Sequence, residues 1–169
     1  MSKIIIHGGF FSESSTNIGT KIAKQQALLR IVKDSYAYLQ NHSALETVVY
    51  AVSQLEDDEL FNAGIGSQIQ SDGKIRMSAS LMDGESQKMS GVINIEEVKN
   101  PIQVAQVLMH VDDRILGGSG ATNFARKHGF ELFSTEIPQR RAEYEAKLAS
   151  LGTGTVGCVA LDNKRKIAV

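Results

Sequence analysis

Gly154-Thr155-Val156-Gly157 stands where a polar, charged segment gives way to an apolar run, Cys158 to Leu161. A glycine before the threonine opens backbone conformations closed to other residues, and a second glycine two places on leaves room beside a strand. Such a site can hold a distorted peptide bond next to a hydroxyl. If the Thr155 hydroxyl attacks the carbonyl of Gly154, the peptide becomes an ester, water resolves it, and Thr155 becomes a new chain terminus. A free α-amino group has a pKa of about 7.7–8.0, so one residue then supplies both the nucleophile and its base. On local pattern alone the tetrapeptide has a blander reading, and the commoner one: a turn entering a core strand, with threonine chosen for β-propensity.

Downstream, residues 155–161 read as a strand, and Asp162-Asn163-Lys164 as a turn into the next. The run Lys166-Ile167-Ala168-Val169 reads as the beginning of that strand, so the chain is expected to continue in the natural protein. Upstream, residues 138–148 form a charged helix, 120–127 a short helix stopped by Gly129, and 114–116 a short strand. Asn100-Pro101 reads as a cap with proline at the first position of a helix over 101–110. Strands are expected at 66–70, at 74–82 after the Ser71-Asp72-Gly73 turn, and at 91–95, together an antiparallel meander.

Ser43 and Glu46 have capping-box spacing, which starts a helix over 44–55. Apolar residues at three- and four-residue intervals make Ile18–Leu39 an amphipathic helix. Residues 12–17 read as a loop, and Lys3–His7, ending in Gly8-Gly9, as a buried first strand. The order implies an α+β chain in which a mixed sheet is covered by helices and adjacent strands run antiparallel.

With 169 residues, 42% of them hydrophobic, the chain can bury one core, which implies a single domain. Its 18 basic residues against 19 acidic ones give a net charge of -1 and no field to hold nucleic acid or an anionic membrane. A small-molecule or peptidic ligand fits better. The lone Cys158 excludes an internal disulfide and reads as a packing residue, and the four histidines, His7, His42, His110 and His128, are too scattered for a local metal motif. Gly117-Gly118-Ser119-Gly120 lacks the lysine of a phosphate loop and reads as a helix entry. The opening residues are too short an apolar run for a signal peptide, and nothing later is long enough to span a bilayer, so a cytoplasmic protein is expected.

Several segments in order along the chain resemble the plant-type asparaginases and isoaspartyl peptidases. They are His7-Gly8-Gly9, Leu55-Glu56-Asp57-Asp58, Phe61-Asn62-Ala63-Gly64-Ile65-Gly66-Ser67, Ala79-Ser80-Leu81-Met82-Asp83-Gly84, Asn100-Pro101-Ile102, Gly118-Ser119-Gly120-Ala121 and residues 154–162. The Asn-Ala-Gly and Gly-Thr-Val-Gly segments are the specific ones. The resemblance implies a four-layer αββα sandwich of the N-terminal-nucleophile hydrolases. Residues 1–169 would supply its first part, with 1–154 as the α-subunit region and 155–169 as the start of the β-subunit region.

It also implies self-cleavage between Gly154 and Thr155, followed by hydrolysis of the asparagine side-chain amide or of β-aspartyl dipeptides by Thr155. Asn62 would help to arrange the nucleophile's surroundings. The main-chain carbonyls of Leu55, Glu56, Asp58, Phe61, Ala63 and Ile65 would wrap a structural sodium or potassium ion, with no cofactor for catalysis. Without the resemblance, 56–59 reads as a solvated acidic helix end. The partners implied are the C-terminal part of the same precursor and a second α-β unit, with substrate-binding residues expected beyond Val169.

Two departures stand out. Phe10 and Phe11 follow Gly9 where the family has small residues, and Met77-Ser78-Ala79-Ser80 lacks the aspartate that the family commonly carries at the second position. A glycosylasparaginase is a related alternative, though those chains usually place aspartate where Gly154 stands. A non-catalytic, unprocessed relative kept for binding or assembly is the alternative from another class.

Overall fold

The computed structural model describes residues 1–9, 18–147, 157–164 and 166–168. The loop expected over 12–17, Phe10 and Phe11, Leu148, Val169 and the Gly154-Thr155-Val156 segment lie outside the described residues.

The chain runs β1 (Lys3–His7), α1 (Ile18–Leu39), α2 (Ala44–Glu56), a 3-10 turn (Gly64–Gly66), β2 (Met77–Asp83), β3 (Lys88–Ile95), α3 (Pro101–Leu108), β4 (Ile115–Gly117), α4 (Gly118–Lys127), α5 (Pro138–Lys147), β5 (Gly157–Leu161) and β6 (Ile167–Ala168). Among the described residues six strands form one sheet in the order β1-β5-β6-β2-β3-β4. The architecture is α+β.

Both α1 and α2 stand where the sequence expects them, α2 behind its capping box, but the period read in α1 does not mark its buried face: Ile22, Leu29 and Tyr36 are exposed, whereas Lys24, Ala27, Ile31 and Ser35 are buried. Glu46 receives the Ser43 N–H at 2.9 Å while its own N–H donates to Ser43 Oγ at 3.2 Å. Those hydrogen bonds hold the Glu46 carboxyl below its usual range. A cap of this kind is worth about 1 kcal/mol.

Four expectations need correction. Residues 66–70 are not a strand: the 3-10 turn takes the first of them, and the rest run irregularly to a turn in which the Gln70 N–H donates to the Lys74 carbonyl at 2.8 Å. With that turn occupying Lys74, the next strand begins only at Met77. The expected meander is therefore a β2–β3 hairpin, and β4 joins β3 in parallel, not antiparallel. The β3-α3-β4 segment is a crossover, because a helix must carry the chain back before a parallel neighbour can be laid down.

The fourth correction concerns the start of α3. Asn100 makes no side-chain cap bond there. Its amide turns instead to Asp57 Oδ1 at 2.9 Å, and Glu56, from the end of α2, accepts the Ile102 N–H at 3.1 Å. The cap comes from another helix.

Strand periodicity divides the sheet into two faces. Ile4 and Ile6 of β1, Cys158 and Ala160 of β5 and Leu81 of β2 pack with Leu39, Val48, Ile102 and Ala105 of the helices. Met77 and Val92 pack with Val104, Leu108, Ala121 and Ala125 on the same side. Burial pushes the Cys158 thiol up to about 12, which makes it a packing residue. The opposite face is apolar too, yet bare: Ile5 is 71% exposed, Ile93 52%, and Met82, Ile115, Val159 and Ile167 are also exposed. An antiparallel sheet with one face in water normally alternates apolar with polar residues. Among the described residues no helix is long and apolar enough to cross a membrane.

Candidate active site

The end of α2 and the turn after it form one corner of the molecule. Leu55 and Phe61 are buried with Ala27 and Ile31 of α1. The chain between them reverses sharply, and glycine makes the reversal possible. Gly64 has φ +52, and a Cβ there would lie 2.1 Å from the Glu56 carbonyl oxygen; at Gly66 it would lie 1.9 Å from the Phe61 carbonyl oxygen. The Gly66 N–H donates to the Ala63 carbonyl and the Ser67 N–H to the Gly64 carbonyl, each at 3.1 Å. Asn62 is half-buried within this turn, and its Oδ1 accepts the Gln68 N–H at 2.8 Å.

The acidic run is not simply a solvated helix end. Glu56 is 3% exposed, and burial pushes its carboxyl up to about 8 against the lowering effect of the Ile102 amide bond. Its Oε2 is buried without a hydrogen-bond partner among the described residues. Asp58 is half-buried, accepting the Leu60 N–H through Oδ1 and pairing with Arg30 through Oδ2, both at 3.1 Å. Only Asp57 and Glu59 are exposed, and Lys99 neutralises Asp57 at 2.9 Å.

One contact joins this turn to the sheet, and one strand pairing carries it on to β5. A Cβ on Gly8, just past β1, would lie 2.9 Å from the Phe61 ring, so β1 leaves the sheet against the residue that precedes Asn62. In the β1–β5 register His7 pairs with Gly157, two residues after Thr155 in sequence. The start of β5, the end of β1 and the Asn62 turn are therefore brought together. Ala63 and Ile65 are half-buried within the turn.

One residue of this corner escapes a sequence reading. Arg140 of α5 is buried, and its Nε donates to the Gly66 carbonyl at 2.7 Å. On a helix as charged as Pro138–Lys147, nothing in the spacing separates a buried arginine from its solvated neighbours. Ser78 also finds a use: its hydroxyl accepts the Asn94 N–H at 3.1 Å where the β2–β3 register shifts and Asn94 has φ 55. Among the described residues no group of three or more His, Cys, Asp or Glu side chains could hold a metal.

Comparison with known proteins bears on this corner. The model of a family described as Asparaginase matches residues 1–148. The chain is 40% identical to an isoaspartyl peptidase/L-asparaginase of Synechocystis sp. over 98% of its own length and 56% of the relative's. It is 40% identical to a protein of the same name from Nostoc sp., covering 99% of the chain and 59% of the relative. With a plant-type L-asparaginase of Pyrococcus furiosus the identity is 34%, over 99% of the chain and 62% of the relative. The chain thus spans somewhat more than half the length of the relatives it matches. By the extent of these matches, the chain belongs to the asparaginase family.

Proposed function

We propose that the full-length protein is a self-processing threonine hydrolase that acts on the side-chain amide of asparagine, on β-aspartyl dipeptides, or on both. The observation that carries this reading is the convergence of the Asn62 turn with the β1–β5 pair through the Phe61–Gly8 contact and the His7–Gly157 pairing. The Thr155 hydroxyl attacks the Gly154 carbonyl, the Thr155 nitrogen leaves as an amine, and water hydrolyses the ester to free the Gly154 carboxylate. The amine then takes the proton of its own hydroxyl as the oxygen attacks the substrate's amide carbonyl. Ammonia or an amino acid leaves, and water resolves the resulting acyl ester.

The bare apolar sheet face supports a partner in the C-terminal part of the same precursor, whose packing there would complete the sandwich. Two such α-β units would form the mature assembly. Mass spectrometry of the full-length protein tests the reading. The expected result is a break before Thr155, ammonia release from asparagine or aspartate release from β-aspartyl dipeptides, and a native mass of two α-β units. Thr155→Ala is expected to stay whole and inactive. A wild-type chain that remains intact through prolonged incubation favours the unprocessed relative.

We further propose that the turn after α2 holds a structural sodium or potassium ion through the carbonyls of Leu55, Glu56, Asp58, Phe61, Ala63 and Ile65. Alkali ions take oxygen ligands, and the last carbonyls of a helix are unsatisfied and carry partial negative charge. Asp58 and Ala63 each give one lone pair to an amide, from Phe61 and Gly66, and keep a second. Thermal unfolding in sodium chloride against choline chloride at equal ionic strength is the check: a higher midpoint in sodium is expected, and equal midpoints would refute the site.

A further inference from the structure

Helix α5 carries one buried residue among its described side chains, Arg140, which is 6% exposed. A guanidinium leaves water at a large cost unless its protons find good acceptors. Arg140 has two, Gly66 O from Nε and Glu143 Oε2 from Nη1, both at 2.7 Å. The planar guanidinium serves a backbone carbonyl and a carboxylate from fixed, diverging N–H directions, whereas a lysine ammonium is a compact charge on a flexible stem that holds neither acceptor in a set orientation. The gripped carbonyl belongs to the Gly66-Ser67 peptide. The very next peptide supplies the Gln68 N–H that holds Asn62 Oδ1 at 2.8 Å.

We propose that Arg140 is a positioning residue for Asn62. By fixing the Gly66 carbonyl it fixes the orientation of the following N–H, and that N–H sets the plane of the Asn62 side-chain amide. The inference rests on the proposed function, with Asn62 taken in the role that the family resemblance implies, arranging the surroundings of the nucleophile. Arg140 touches neither substrate nor nucleophile in this role; it acts through two consecutive peptide units.

A double-mutant cycle in the full-length protein tests it, with kcat and KM of the cleaved enzyme measured separately. Arg140→Ala is expected to lower kcat by between about ten- and a hundredfold at little-changed KM, the signature of misoriented groups. Asn62→Ala should fall at least as far, and Asn62→Ala/Arg140→Ala should be no slower than Asn62→Ala alone. Arg140→Lys should recover only part of the loss. If Arg140→Ala does not fold, Glu143→Gln, which loosens the guanidinium without removing it, must show the same non-additivity with Asn62→Ala. Arg141→Ala, at a neighbouring surface ion pair with Glu136, should leave kcat unchanged. An uncut, inactive wild type overturns the proposed function and this inference with it. An active wild type overturns this inference alone if Asn62→Ala is harmless, if Arg140→Ala is harmless, or if their losses simply multiply.

Discussion

Gly64→Ala is expected to break the turn that carries Asn62 and to lower the thermal midpoint by about 10 °C or more, at roughly 2–4 °C per kcal/mol for a chain of this size. Two costs add. At φ +52 a residue with a Cβ loses about 1–2 kcal/mol on conformation alone. The new methyl group would also sit 2.1 Å from the Glu56 carbonyl oxygen and 2.6 Å from the Glu56 carbonyl carbon. Glu56 has no room to give. It ends α2, and its carboxyl group holds the first turn of α3 through the Ile102 N–H, so moving it loosens two helices.

Gly118 provides the control. Its φ is +51, but among the described residues nothing lies within 4 Å of a Cβ there, so Gly118→Ala carries the conformational cost without such a collision. Thermal melts of both variants separate the two effects. Equal losses would mean that the turn yields to a methyl group and that the tight contact with Glu56 does not constrain Asn62.

This pair of glycines also shows what a sequence can and cannot disclose. Both stand in segments rich in small residues, and only the fold tells which one lies against a backbone. Elements with local signals were legible: the extent of α1, though not which of its faces is buried, the Ser43–Glu46 box of α2, and Pro101 at the head of α3. Residues 66–70 were misread because a glycine-rich turn followed by Ser67-Gln68-Ile69-Gln70 imitates the composition of a strand, while the missing ladder partner is a non-local fact. The parallel β4 was misread for the same reason, since three residues carry no mark of direction.

At the site, Asn62 and the Glu56 region are singled out by family resemblance alone, and the structure shows only that they share the turn after α2. Arg140 and the capping role of Glu56 were not found. Each depends on a partner far along the chain, Gly66 for Arg140 and Ile102 for Glu56, and a charged residue looks the same in sequence whether water or a carbonyl faces it.

Residues 1–154 expressed alone are expected to aggregate, whereas the same residues cut from the downstream part in the folded protein are expected to stay in place. β5 and β6 lie between β1 and β2, so β1 meets the sheet through its five pairs with β5. Strands sit about 4.8 Å apart, and removing two leaves β1 and β2 roughly 14 Å apart with unpaired edges facing each other. Cys158 and Ala160 also leave the helix-side core, uncovering Ile4 and Ile6. At the other margin β6 is held by Gly84, whose N–H donates to the Ile167 carbonyl at 2.9 Å. Scission before Thr155 breaks none of these bonds, because all of them lie downstream of the cut or across from it. On the proposed self-processing, the sheet would close before the chain is cut, and cleavage would be a consequence of folding and not a step toward it. Solubility and circular dichroism of residues 1–154, alone and co-expressed with the downstream part, decide the point. A soluble 1–154 piece with a cooperative melt of its own would show that the sheet closes without β5 and β6, and the argument for cleavage after folding would fall.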